Sequence, residues 1–345
     1  MEALLPQCLD SLTAVGEALE RLDIVVVNDG SRDGSLAIAR GYAERFPQSV
    51  RVVDKPNGNY GSTINAALPI LQGEYVKVLD ADDRFDTKCL VPLLEALSVL
   101  SGVDMVVTPY VEITRRGRHV VMPSLHRAMP YRMLQPYDAE QVFGDGVIRF
   151  FAMHGVTYRT ALLQEMDYRQ SEGVSYTDQE WVFYPLFGVR TVAFAPTPVY
   201  LYNLAREGQT MSASVQLRSI GQHLVVTRAM AAHFARHSVQ VTSTARLAFL
   251  RELLRMRLRV IYRLCLLDMG DAEFRRYDFD ALDGELQSVA QSCALGDVPV
   301  RVNSLLPTDL LLSYRRTGRR HKKIVRKALR LADRVMMWLY RTIKG

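Results

Sequence analysis

GEYVKVLDADDRFD, residues Gly73–Asp86, runs from an apolar, strand-like stretch (Tyr75–Leu79) directly into Asp80, Asp82 and Asp83. Three carboxylates within four residues repel one another and resist ionising together. Such a cluster is kept either because water dissolves it or because a cation sits in it. Hard divalent cations such as Mg2+ or Mn2+ favour carboxylate oxygens, and one held there could bridge to a diphosphate and neutralise charge on a departing group. The plainer reading is a capped turn, with Asp86 or Thr87 starting the next helix. That accounts for those two residues but not for the other three.

Outward from this stretch, strand-like and helix-like segments alternate. Upstream lie an expected helix end over Met1–Leu12, a strand over Asp23–Val27 and a helix over Leu36–Phe46. A strand over Ser49–Val53 and a short helix over Ser62–Leu68, cut off by Pro69, come next. Downstream, Leu90, Leu93, Leu94 and Leu97 mark a helix, and Asp104–Thr108 another strand. Strands alternating with helices of this length predict an α/β fold with parallel crossovers. In such sheets ligands bind at the carboxyl ends of the strands, where both NDGS and DADD fall. After about Ser214 the pattern turns helical, as in RLAFLRELLRMRLRVIYRLCLLD (Arg246–Asp268), with an arginine-rich polar face.

Other stretches carry chemistry beside a plainer reading. Asp29, directly after a strand and before Gly30, could accept hydrogen bonds from a base imide or ribose, or could close an Asx-turn. KPNGNYGS (Lys55–Ser62) sets a cation and two glycines ahead of a helix start, an arrangement that suits anions. It matches neither phosphate-loop pattern. In SYTDQEW (Ser175–Trp181), Thr177 and Glu180 fit a capping box, while Asp178 could equally remove a proton from a hydroxyl. REGQT (Arg206–Thr210) is a phosphate-facing lid or a polar turn, and His154 reads as a core or supporting histidine.

Length and composition bound the rest. At 345 residues, 48% of them hydrophobic, the chain can bury a sizeable core. Its four cysteines are far apart, which argues against a zinc site or disulfide framework and suits a reducing compartment. No apolar run approaches a membrane span, and the Met1 end lacks a secretory layout, so a cytoplasmic protein is expected. The net charge of +6 is uneven: residues 314–345 hold twelve Lys or Arg against Asp333 alone, leaving the rest at −5.

Taken together, LPQCLDSL (Leu5–Leu12), DIVVVNDGSRDGSLAIA, KPNGNYGSTINAAL, GEYVKVLDADDRFD, SYTDQEWVFYPL and VYLYNLAREGQTMS resemble, in order and spacing, the family 2 glycosyltransferases of the GT-A fold. The resemblance covers residues 4 to 213. It implies a Rossmann-like, mixed but mostly parallel sheet with flanking helices in a catalytic domain over residues 1–214. A helical subdomain over 215–300 and a basic tail over 301–345 would follow. It further implies an inverting, metal-dependent transfer of a sugar from a UDP-sugar to a hydroxyl of a glycan or lipid-linked acceptor, in cell-surface polysaccharide synthesis. By this likeness Asp29 binds the uracil, and Lys55, Gly61 and Asp80 help hold the nucleotide sugar. Asp82 is the direct ligand of Mg2+ or Mn2+, Asp178 is the catalytic base, and Arg206 and Gln209 close over the diphosphate. Family members usually open with a strand of the type SIIIPVYN inside the sheet, and this sequence begins after it, as a truncated chain would. The alternative is a non-catalytic nucleotide- or glycan-binding relative, although binding alone does not need Asp178. A sugar-nucleotide pyrophosphorylase would need a glycine-rich loop near the start, and none is present.

In the tail, Ile324, Val325, Ala328, Leu329, Ala332, Val335, Met336, Leu339 and Ile343 recur at helical spacing, with lysines and arginines on the other face and Trp338 and Tyr340 nearby. That layout predicts a helix on an anionic membrane surface, at the inner face of the cell membrane; packing on the rest of the protein is the other reading. Nucleic acid is not expected, since aromatic stacking residues are not spread along a basic surface.

Overall fold

The computed structural model describes residues 1–115, 117–122, 130–205, 213–301 and 309–344, with side chains in the last helix up to Asp333 and at Val335. Arg206 and Gln209 lie outside the described residues, as do the side chains of Trp338 and Tyr340. The chain divides into two compact units, Met1–Arg206 with Ser243–Arg246, and Glu207–Thr242 with Leu247–Gly345.

The first unit begins with α1 (Leu5–Thr13), β1 (Ile24–Asp29), α2 (Ser35–Arg45), β2 (Val50–Lys55) and α3 (Asn59–Ala67). As expected, Pro69 ends α3 in a short 3-10 turn, Leu68–Ile70. Next come β3 (Tyr75–Val76), β4 (Arg84–Phe85), α4 (Thr87–Val99), β5 (Met105–Val107), β6 (Tyr110–Thr114), β7 (Gly117–Val121) and β8 (Pro136–Asp138). The unit closes with α5 (Ala139–Gly144), β9 (Val156–Arg159), α6 (Thr160–Glu165), α7 (Asp178–Trp181), β10 (Thr191–Phe194) and β11 (Tyr200–Asn203). Among the described residues three sheets result, with strand orders β1-β2, β3-β9-β5-β10-β8 and β4-β11-β6-β7.

The pairings are mixed rather than mostly parallel. Among the described residues β1/β2, β5/β10 and β6/β11 run parallel, and the other five pairs are antiparallel. The core of this unit is the middle of the five-stranded sheet, where Met105, Val106, Val156, Tyr158, Val192 and Phe194 are fully buried beside Trp181 and Phe183. Each such side chain contributes roughly 1.5–3 kcal/mol by leaving water.

The strand expected over Tyr75–Leu79 forms its ladder only at Tyr75 and Val76, against Arg159 and Tyr158 of β9. Among the described residues β1 pairs with β2 only, and β3 with β9 only. A cavity of about 570 Å3 lies between β1 and β3, lined by Val25, Val27, Tyr75, Lys77 and Leu79 with Leu9 and Ile64. Lys77 Nζ donates across to the carbonyls of His154 (2.8 Å) and Val156 (3.2 Å), and desolvation lowers it to about 7.

Among the described residues the second unit is helical: α8 (Ala213–Arg218), α9 (Ile220–His237), α10 (Thr244–Arg263, of which 244–246 fall in the first unit), a π-turn over Leu264–Asp268, α11 (Asp271–Phe274), α12 (Phe279–Ser292), α13 (Leu310–Thr317) and α14 (Lys323–Lys344). Leu250, Leu254, Leu258, Ile261 and Cys265 of the α10 row are buried, as are Val226, Met230 and Phe234 of α9. Part of the arginine face of α10 is not solvated. Arg251, Arg255 and Arg259, four residues apart, donate to the carbonyls of Cys293 (3.3 Å), Leu295 (2.7 Å) and Pro299 (3.2 Å). None of the four cysteines forms a disulfide, and no helix among the described residues is long and apolar enough to cross a membrane.

Candidate active site

Two polar clusters of the first unit stand at the ends of its strands. The first is at the parallel ends of β1 and β2. Register places Asp29 beside Lys55, and Lys55 Nζ donates to Asp29 Oδ1 at 2.7 Å. The same Oδ1 accepts from the backbone N–H of Gly58 (2.9 Å) and from Ser62 Oγ (3.2 Å), while Oδ2 accepts from Asn57 Nδ2 (3.1 Å). Burial raises the Asp29 carboxyl, but Lys55 and Gly58 outweigh it and hold it below the usual range. Oδ1 is thus taken up within the protein, and Oδ2 is the oxygen with capacity left for a ligand donor. Gly30 follows with φ +68°, in a left-handed turn where a Cβ would also meet the Asn57 amide nitrogen at 2.8 Å.

Lys55 is not presented to an anion. Its three N–H directions are occupied by Asp29, by the carbonyl of Pro56 (2.7 Å) and by Ser62 Oγ (2.8 Å). Gly61 likewise serves packing: a Cβ there would lie 2.1 Å from the carbonyl oxygen of Ser171. Only glycine lets α3 approach that segment.

The second cluster is the loop after the third strand. Asp80, Asp82 and Asp83 each bring one carboxylate oxygen within 4.8 Å of the others. Asp83 is buried and held in place, accepting from the Tyr200 hydroxyl (2.7 Å) and the backbone N–H of Asn203 (2.7 Å). Asp80 is pushed well above the usual carboxylate range by burial and by Asp83, Asp82 and Asp178. Tyr60, whose hydroxyl donates to Met153 Sδ at 3.6 Å, acts on it in the opposite direction. Beneath the cluster, burial and the same aspartates raise the Cys8 thiol to about 12. Asp86, by contrast, caps α4 by accepting from the Lys88 N–H (3.1 Å). The stretch is therefore a capped helix start and an acidic cluster together. A set of all-oxygen, anionic donors within this span fits a hard divalent cation.

Asp178 opens α7 on the same side of the unit, close enough to Asp80 and Tyr60 to act on both electrostatically. The capping box expected around it does not form. Thr177 makes no side-chain cap hydrogen bond. Glu180, fully buried, accepts instead from the backbone N–H and the Oγ of Ser171, both at 2.7 Å. The turn into α7 holds Tyr176 at φ +69°, a left-handed conformation costing roughly 1–2 kcal/mol for a residue with a side chain. Gln179 Nε2 donates to Asp178 Oδ2 at 2.8 Å. His154 packs as a supporting histidine, its ring stacked on Tyr202 with centroids 4.1 Å apart and edge-on to Tyr200 at 4.7 Å. Desolvation and Lys77 keep it neutral, near 3.

The structure thus sets Asp178 within electrostatic reach of Asp80 in the acidic cluster, and holds Asp29 in a separate cradle of Lys55, Asn57, Gly58 and Ser62. The reading of residues missed Tyr60, Ser62, Asn57 and the clamp on Asp83. All of these lie inside stretches already singled out, KPNGNYGS and VYLYNLAREG, but their partners are twenty or more residues away, so only packing reveals them.

Comparison with known proteins points to one family. Residues 2–167 match the family model for glycosyl transferase family 2. Over 122 residues the chain is 33% identical to an uncharacterized glycosyltransferase of Mycoplasma pneumoniae, the MG025 homolog, a match spanning 34% of this chain and 39% of that protein. Over 214 residues it is 25% identical to the poly(ribitol-phosphate) beta-N-acetylglucosaminyltransferase TarS of Staphylococcus aureus, spanning 62% of this chain and 35% of TarS. These matches cover well under two thirds of either relative's length. The crystal structure of TarS residues 1–349 in complex with UDP-GlcNAc superposes with a TM-score of 0.66 at 20% identity, covering 99% of this chain and 87% of the other. At that identity the likeness is one of fold.

Proposed function

We propose that this chain, whose residues 2–167 match the family model for glycosyl transferase family 2 and whose fold is like that of TarS, is a family 2 glycosyltransferase of the GT-A fold that moves a sugar from a UDP-sugar to a hydroxyl of a glycan or lipid-linked acceptor, with inversion, in cell-surface polysaccharide synthesis. The observation that carries this reading is the convergence of Asp178 on the Asp80, Asp82 and Asp83 cluster. A base and an acidic cation site within electrostatic reach are what a single displacement at a sugar carbon needs.

In this reading Asp29 Oδ2 accepts from the uracil imide, and Lys55, Gly58 and Ser62 fix the carboxylate that does so. Asp80 lies toward the ribose and sugar, while Asp82, supported by Asp83, would hold Mg2+ or Mn2+. Bound there, the cation would neutralise charge on the departing diphosphate. Asp178 takes the proton from the acceptor hydroxyl as it attacks, a contribution of typically 100- to 10,000-fold in rate. Arg206 and Gln209 are proposed to face the diphosphate. The likeness to TarS supports UDP as the nucleotide and puts UDP-GlcNAc first among donors to test. The basic residues 314–345 support a peripheral place on an anionic membrane, and the unpaired cysteines suit its cytoplasmic face.

The test is UDP release from a panel of UDP-sugars, with and without Mn2+. Wild type should release UDP only with the metal, Asp82→Ala should lose at least about 100-fold, and Asp178→Asn should keep UDP binding while losing transfer. Metal-independent release, or full activity in Asp82→Ala, would overturn the metal assignment; an anomeric configuration retained in the product would overturn inversion.

A further inference from the structure

The tail helix has a docked face and an open one. One face is docked within the second unit. Leu329 is 6% exposed and Arg326 2%. Arg326 donates to Asp271 and to the Met269 carbonyl (3.0 Å). Just before α14, Arg320 donates to the carbonyls of Cys265 and Met269 (both 2.8 Å) and to Asp271 (2.6 Å). Asp333, the acid of the tail, is paired with Arg263 at 2.8 Å. These bonds fix the helix to the π-turn at the end of α10.

The other face has no cover among the described residues. Ile324 is 75% exposed, Leu331 59% and Val335 46%, with Ala328 exposed between them. At about 100° per residue these four lie within roughly 60° of one another, while Leu329, Asp333 and Arg326 lie about 140° to 200° round from Ile324. Lys322, Lys323 and Lys327 are exposed at the N-terminal end, Lys327 along the stripe's margin. An apolar stripe edged by cations, its helix's acid turned away and paired, is complementary to an anionic lipid surface.

We propose that α14 binds an anionic bilayer through the stripe Ile324–Ala328–Leu331–Val335, while Arg326, Leu329 and Asp333 hold it to the second unit. This rests on the peripheral-membrane reading above and adds the face and the docking. The full chain would be floated with vesicles of equimolar phosphatidylglycerol and phosphatidylcholine, and with pure phosphatidylcholine. Wild type should bind the anionic vesicles only. Ile324→Ser/Leu331→Ser should lose about tenfold or more in partitioning with an unchanged melting temperature, because both side chains are exposed. Leu329→Ala should lower the melting temperature and leave partitioning within about twofold. Lys323→Glu/Lys327→Glu should abolish binding. Wild-type failure to bind would remove both readings. Binding retained by the serine variant, but lost on charge reversal, would overturn the face assignment and leave the membrane reading intact. A wild-type dimer in sedimentation that the serine variant breaks, without lipid binding, would assign the stripe to a second copy and overturn the proposal.

Discussion

The assignment of Lys55 turns on how many hydrogen bonds an ammonium can donate. Three acceptors within 2.8 Å leave no N–H for a phosphate, so its effect on a nucleotide should pass through Asp29. Lys55→Met is therefore expected to weaken uridine and UDP by the same factor, about tenfold, the scale of a hydrogen bond to a charged group. Lys55→Arg should recover part of both losses. Titrating the two ligands side by side checks this, and a loss confined to UDP would return Lys55 to the diphosphate. The cation in KPNGNYGS was evident from the residues, but its target was not. A lysine before a helix start suits an anion in general, and here parallel register puts an aspartate against it. Gly61 is the same lesson in reverse, a motif glycine whose need is set by the Ser171 carbonyl.

Among the elements, β5, β9 and β10 are joined at one end by Asp104, which is almost wholly buried. Its Oδ1 accepts from Arg159 of β9 (2.8 Å), and its Oδ2 accepts from the backbone N–H of Arg190, just before β10 (2.8 Å). Burial raises its carboxyl, but Arg159 and Arg190 outweigh that and hold it below the ordinary value. A folded-state pKa below the unfolded one, about 3.9, gives stabilisation that is complete well above that pH and lost as pH falls through the native value. Asp104→Asn, which leaves Arg159 with Glu165 at 3.8 Å, should cost about 1.5–3 kcal/mol at neutral pH. The variant should also lose less further stability on acidification than wild type. Denaturant titrations of both proteins between neutral pH and acid would show the two effects. The elements themselves were largely legible, because period-two and period-3.6 patterns are local. The pairings of β9, antiparallel to β3 and β5, and of β11, antiparallel to β4 and parallel to β6, were not, since nothing near VTYR or YLYN states which strands they join or in which direction.

At the scale of the whole molecule, folding brings together acidic groups that repel, and a bound cation should relieve the repulsion. Mn2+ with UDP is expected to raise the melting temperature of wild type, by the equivalent of about 2.7 kcal/mol when the ligand stands at a hundred times its Kd. EDTA should reverse the rise, and Asp82→Ala should lack it; calorimetry reads all three. By itself the sequence determined the α/β beginning, the helical second half, the order of the motifs and the charge asymmetry of the tail. Each of these follows from neighbours along the chain. Tertiary structure alone decided that Lys55 serves Asp29, that Glu180 turns from a cap to Ser171, and that the ladder of the third strand stops at Val76. It also decided that α14 has a docked face and an open one. Spacing puts residues on a helix face, but which face meets protein depends on side chains 50 to 70 positions away, such as Arg263, Met269 and Asp271.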